Sequence, residues 1–124
     1  MKYILMIALV IGGLFMFMQR SDANQTMTSQ ELQNKLKAQE NFVLRDVRTQ
    51  EEFDAGHIAG AILLPYDDIN VKAATVLPNK EKEIVLYCRR GRRSAIAKKD
   101  LVALGYKDVK DFGGINRWQG ELVK

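Results

Sequence analysis

Ile84-Val85-Leu86-Tyr87-Cys88-Arg89-Arg90-Gly91-Arg92-Arg93-Ser94 is the stretch that decides how this chain folds. Ile84 to Tyr87 is unbroken, apolar and partly β-branched, the signature of a strand buried on both faces of a parallel sheet. Cys88 therefore stands at the carboxyl end of a central strand, where ligands bind in open α/β sheets. A tight loop follows, and the spacing predicts a helix from Arg93 to Leu104 with Ile96, Ala97, Leu101 and Leu104 inward. Gly105 is its stop and Tyr106 the accompanying apolar contact.

A loop turning from strand into helix directs successive backbone N–H groups inward as an anion-binding nest. The helix N-terminus adds unpaired donors and the positive end of its dipole. Arg89, Arg90, Arg92 and Arg93 place four positive charges within five residues. Each effect favours thiolate over thiol, so the pKa of Cys88 is expected to be depressed. The result is an activated nucleophile that needs no histidine base. A free cysteine is more commonly a small buried hydrophobe, but four arginines are a poor core environment. Some of these arginines belong to a solvated basic patch, because four cannot share one small pocket. Gly91 supplies the positive φ the loop requires.

Outward from this loop the chain alternates strands and helices. Thr28-Ser29-Gln30-Glu31 reads as a capping box opening a short helix with Leu32 and Leu36 inward. A strand begins at Phe42-Val43-Leu44 and ends near Asp46-Val47. Thr49-Gln50-Glu51-Glu52 is a second capping box, opening a helix that runs to Ala55 and stops at Gly56. Ala61-Ile62-Leu63-Leu64, closed by Pro65, reads as a buried strand. Ile69, Ala73, Val76 and Leu77 are spaced for a helix that Pro78 ends. A charged turn spans Asn79 to Glu83. Asp108 to Phe112 is a last short strand, followed by Gly113-Gly114 and a helical turn around Trp118. Strands joined through helices imply a mainly parallel central sheet with helices on both faces.

Composition narrows the function. The 124 residues carry 19 Lys and Arg against 15 Asp and Glu, a net charge of +4. That permits an anionic substrate and is too small to argue for nucleic acid. One Cys excludes an internal disulfide framework, and one His argues against a His-built metal site. No Walker A or G-x-G-x-x-G run is present, so neither a metal nor a cofactor is expected. Fifteen of the first 18 residues are apolar, behind Lys2 and ahead of Gln19-Arg20-Ser21. This is the layout of a secretory signal, with Ser21-Asp22-Ala23 as cleavage site. An uncleaved N-terminal membrane anchor is the rival reading. Both divide the chain into a leader at 1–23 and one domain at 24–124. Both put that domain outside the cytoplasm: periplasmic, or held at the inner membrane, if the cell is bacterial.

Three blocks in order carry a resemblance. Asp46-Val47-Arg48, Glu52-Phe53, Gly56-His57-Ile58, Gly60-Ala61 and Leu64-Pro65 form the first. Cys88 to Ser94, of the form C-x-x-G-x-R-S, is the second. Gly105-Tyr106, Val109, Gly113-Gly114 and Trp118 form the third. Over roughly residues 28–120 the chain resembles a single-domain rhodanese, or thiosulfate sulfurtransferase. Arg45 departs from the pattern, which usually has an apolar strand residue there; it either snorkels out or marks an edge.

The resemblance implies that Cys88 takes a sulfane sulfur from a small anionic donor such as thiosulfate. The persulfide then passes it to a thiophilic acceptor, cyanide or a thiol. Backbone N–H groups of residues 89–93 would hold the persulfide, with Gly91 and Ser94 in the same loop. Arg93 would face inward, to substrate or to order the loop, while Arg89, Arg90 and Arg92 line the mouth. Asp46 and Arg48 read as a charge pair tying the first strand's end to the next helix. His57 reads as a hydrogen-bonded structural residue near the site. Trp118 and the paired glycines read as a core plug and a tight turn. Two other classes use a similar loop. One is a non-enzymatic sulfur carrier or redox-sensing module. The other is a phosphatase or arsenate reductase, whose C-x-x-x-x-x-R loop would need Arg where Ser94 stands.

Overall fold

The computed structural model describes residues 27–124. The leader expected at 1–23 lies outside the described residues. No helix of the described residues is long and apolar enough to cross a membrane.

Helix α1 spans Ser29–Lys37 and strand β1 Phe42–Asp46; helix α2 spans Gln50–Ala55 and strand β2 His57–Ile58. Strand β3 spans Ile62–Leu63, and a 3-10 turn at Tyr66–Asp68 leads into α3, Ile69–Val76. Then come β4, Glu83–Cys88; α4, Arg92–Ala103; and β5, Val109–Gly114. A 3-10 turn at Ile115–Arg117 precedes β6, Leu122–Val123. The main sheet has the order β3-β1-β4-β5. All its pairings are parallel.

Alternation along β4 sorts its side chains between two cores. Ile84, Leu86 and Cys88 join Val47, Ile69, Ala73, Leu77, Ala97 and Leu101, so α3 and α4 cover that face. Val85 and Tyr87 join Leu32, Leu44, Ile58 and Phe112, the face that α1 covers and Phe53 of α2 flanks. Fully burying one such side chain contributes roughly 1.5–3 kcal/mol. The expected parallel sheet with helices on both faces is the observed architecture.

Both helix starts read from capping boxes are in place, with one difference. Thr49 and Glu52 satisfy each other's backbone N–H reciprocally. At α1 the Thr28 hydroxyl accepts from the Glu31 N–H and donates to the Glu31 carboxylate, leaving the return bond unmade.

Four expectations need correction. Ile62 is 53% exposed, because β3 is an edge strand that among the described residues pairs only with β1. Ile96 is exposed rather than inward, because Ser94, Ala97 and Leu101 set the buried stripe of α4. Strand β6 pairs antiparallel with β2, where only a helical turn was expected. Two half-exposed residues carry no periodic signal. Arg45 neither snorkels nor marks an edge. It is buried on β1, between β3 and β4, and Nη2 donates to the Val76 carbonyl at the end of α3. That carbonyl belongs to the last helical turn, which has no intrahelical donor. Nε of Arg45 finds no partner among the described residues, and burial lowers the pKa of the guanidinium.

Candidate active site

Cys88 is the last residue of β4 and is 1% exposed. Its sulfur accepts the Gly91 N–H at 3.0 Å, and the thiol lies 3.4 Å from Ser94 Oγ. Ser94, in the first turn of α4, is wholly buried, and its hydroxyl reaches the carbonyls of Gly91 at 3.2 Å and Gly113 at 3.4 Å. Burial opposes ionisation of Cys88 and is the largest single influence on it. Hydrogen bonds from the Ser94 hydroxyl and from the N–H groups of Ser94, Gly91 and Arg90 outweigh it, so the thiol is held below its ordinary pKa. Three backbone N–H groups from a loop and a helix start, joined by the Ser94 hydroxyl when it turns from the Gly91 carbonyl to a thiolate, make an oxyanion-type cradle around sulfur.

The loop closes because two glycines let backbones touch. Gly91 adopts φ 105°, a left-handed conformation that side chains disfavour. Gly114 is level with Cys88 on the neighbouring strand. A Cβ there would lie 2.7 Å from the Arg89 carbonyl and 2.8 Å from the Arg90 Cα. Gly114 reaches this level through a bulge: Leu86 pairs with Asp111, Tyr87 with Gly113, and Phe112 is the extra residue. The Asp111 carboxylate accepts the Gly113 N–H at 2.8 Å and secures the bend. The paired glycines end strand β5 in place of the expected tight turn. The available signal was two glycines ending the strand next to the nucleophile's strand.

The four arginines divide. Arg89, Arg90 and Arg92 are exposed, and no ion pair among the described residues engages them. Arg93 is partly buried and forks onto Glu52 of α2, Nη1 to Oε1 at 2.7 Å and Nη2 to Oε2 at 3.0 Å. Its first function is thus to tie α2 to the start of α4. Glu52 is pulled down to about 2, chiefly by the Arg93 hydrogen bond, with the Thr49 N–H and hydroxyl assisting against partial burial. The capping box was legible at Glu52; the partner 41 residues away was not.

Asp46 and Arg48 sit beside the site, with the Arg48 N–H, Nε and Nη2 all donating to the Asp46 carboxylate at 2.7–3.0 Å. Nη2 also reaches the Gly56 carbonyl at the end of α2. Both residues are buried, Asp46 completely. The guanidinium lies over the ring of Tyr87, whose hydroxyl accepts the Ile58 N–H at 3.1 Å. His57 is half-buried and stacks on Phe53 at 3.7 Å between ring centroids. Its Nδ1 donates to the Phe53 carbonyl at 2.8 Å. Trp118 meets Phe112 edge-on in the second core.

A sulfur whose thiol is held below its ordinary pKa, in a cradle that stabilises negative charge on it, can accept a group and release it again. The fold and site therefore define an α/β protein built around a cysteine suited to group transfer. The sequence profile of the rhodanese-like domain matches residues 28–121, and the chain belongs to that family. It is 37% identical over 70 residues to the thiosulfate sulfurtransferase PspE of Escherichia coli, covering 56% of this chain and 67% of PspE. It is 40% identical over 90 residues to the putative sulfurtransferase YtwF of Bacillus subtilis, covering 73% of this chain and 85% of YtwF. Against the adenylyltransferase and sulfurtransferase UBA4 of Meyerozyma guilliermondii it is 36% identical over 90 residues, but spans only 21% of that longer protein. Among solved structures, a rhodanese with anions from E. coli superposes with a TM-score of 0.62 at 34% identity, covering 66% of this chain and 96% of that one.

Proposed function

We propose that this protein moves a sulfane sulfur from thiosulfate to a thiophilic acceptor, cyanide or a thiol, through a persulfide on Cys88. In the first half-reaction the Cys88 thiolate attacks the outer sulfur of thiosulfate. The S–S bond breaks and sulfite leaves with the electron pair. In the second, the acceptor attacks the outer sulfur of the persulfide, and the Cys88 thiolate leaves with the pair. No net oxidation of the protein occurs. The observation that carries this reading is the contact of the Cys88 sulfur with the Gly91 N–H and Ser94, which lowers the pKa of the thiol and suits the same site to a persulfide anion afterwards. The exposed Arg89, Arg90 and Arg92 suit a dianionic donor approaching the mouth. PspE, a relative, carries thiosulfate in its name.

The working place of the domain in this proposal is outside the cytoplasm, behind the apolar leader. Fractionation that left the full chain in the cytoplasm would remove that part. The chemistry is tested by intact-mass spectrometry of the full chain before and after thiosulfate, then after cyanide. A gain of about 32 Da, one sulfur, lost again with release of thiocyanate, is the expected result. Absence of the gain overturns the sulfurtransferase reading and leaves the redox-sensing module and the phosphatase or arsenate reductase.

A further inference from the structure

Glu52 stands on α2, outside the active-site loop, and meets that loop through Arg93 alone of the four arginines. Its two carboxylate oxygens take the Nη1–Nη2 edge of the guanidinium, the two-pronged geometry an Arg also offers to a sulfonate or sulfate group. The pair is largely withdrawn from solvent, with side chains 17% and 25% exposed. The capping-box bonds from Thr49 hold the carboxylate from behind, so it cannot swing away without opening the start of α2. Among the described residues the loop thus has one arginine whose charge is cancelled and three that no ion pair engages.

We infer that Glu52 sets the charge selectivity of the site, positioning Arg93 and cancelling its charge so that dianionic donors are not favoured further over monoanionic ones. This rests on the persulfide reading above. Arg93 and the sulfur feel each other electrostatically, since a Cys88 thiolate helps keep Arg93 protonated. Releasing Arg93 from Glu52 therefore changes the field at the sulfur as well as at the incoming donor.

Glu52→Gln is suited to the test. Glutamine at this position preserves the capping box, so the helix start survives while the charge goes. Two sulfane donors are compared with cyanide as acceptor: thiosulfate, a dianion, and methanethiosulfonate, a monoanion. The ratio of their kcat/KM values is expected to rise about threefold or more in Glu52→Gln, as an uncompensated guanidinium within the electrostatic reach of the sulfur attracts the second charge. Arg93→Gln leaves Glu52 unneutralised, and the ratio is expected to fall by a similar factor. The double variant should return near the starting ratio. Glu52→Gln should also shift the midpoint of Cys88 alkylation to lower pH. A purely structural role would lower both kcat/KM values together and leave their ratio alone in both single variants. That result, with Cys88 persulfide still forming on thiosulfate by mass, overturns this inference and spares the sulfurtransferase reading. Failure of the unaltered chain to form the persulfide overturns both.

Discussion

Arg93 and Glu52 form a two-pronged ion pair that fastens the first turn of α4 to α2 across 41 residues of chain. The pair closes the active-site loop from the side, as Gly114 does from beneath.

Its contribution to stability is pH-dependent, and the sign follows from the Glu52 carboxyl. That group is pulled from 4.5 to about 2 in the folded protein. A depressed acid stabilises the fold above its unfolded pKa and loses that contribution as pH falls through the folded value. Glu52→Gln is therefore expected to unfold more easily at pH 7, by on the order of 1–2 kcal/mol after solvent screening. The gap should close between about pH 4.5 and pH 2, in denaturant melts of both proteins. A gap independent of pH would contradict the assignment.

Cys88 is expected to react with iodoacetamide with a pH midpoint below that of an ordinary thiol, about 8.5. Ser94→Ala removes the hydroxyl contribution but keeps the N–H groups of Gly91 and Arg90. Its midpoint should move up, with the fold retained. Cys88→Ser should abolish persulfide formation while leaving the circular dichroism spectrum unchanged. An unshifted midpoint in Ser94→Ala would mean that the backbone cradle acts alone.

Gly114→Ala places a Cβ 2.7 Å from the Arg89 carbonyl and 2.8 Å from the Arg90 Cα. The Arg89–Arg90 backbone, which follows Cys88 directly, must yield, and the sulfur moves with it. The expected loss is about 1–3 kcal/mol of stability, together with a fall in sulfur transfer of at least tenfold. Gly105→Ala is the control: it has φ 97° but meets only the flexible end of Lys80. It should lose stability with transfer retained.

Asp46 is completely buried and Arg48 nearly so. Removing one partner of such a pair strands the other charge, so Asp46→Ala should cost about 3–5 kcal/mol. Thermal melts will show it. The damage should extend to the β2–β6 pair, because Arg48 also holds the Gly56 carbonyl. Faster amide exchange at Ile58 is the local readout.

The open charges at the mouth give an ionic-strength dependence. Thiosulfate kcat/KM is expected to fall from low salt to 0.5 M sodium chloride as the Debye length shrinks to a few ångströms. Joint replacement of Arg89, Arg90 and Arg92 by Ala should flatten that dependence. An equally steep salt response in the triple variant would assign the steering to other charges.

What the sequence by itself determined is local. The apolar run Ile84 to Tyr87, the loop from Cys88 and the helix after it could be read without coordinates, because strand burial, loop closure and helix capping act over a few residues. The same holds for Thr49 with Glu52, and for the Asp46 and Arg48 pair two residues apart. Tertiary structure decided the rest. Sheet order β3-β1-β4-β5 sets Gly114 against the loop and places β3 at an edge with Ile62 in solvent. It also leaves Arg45 inside, bonded to the end of α3. The destination of Arg93 is the clearest case. Its charge and position could be read from the sequence, but whether it meets substrate or Glu52 depends on where α2 packs. That packing is set by the summed burial of two cores, a free energy that no short window of sequence contains.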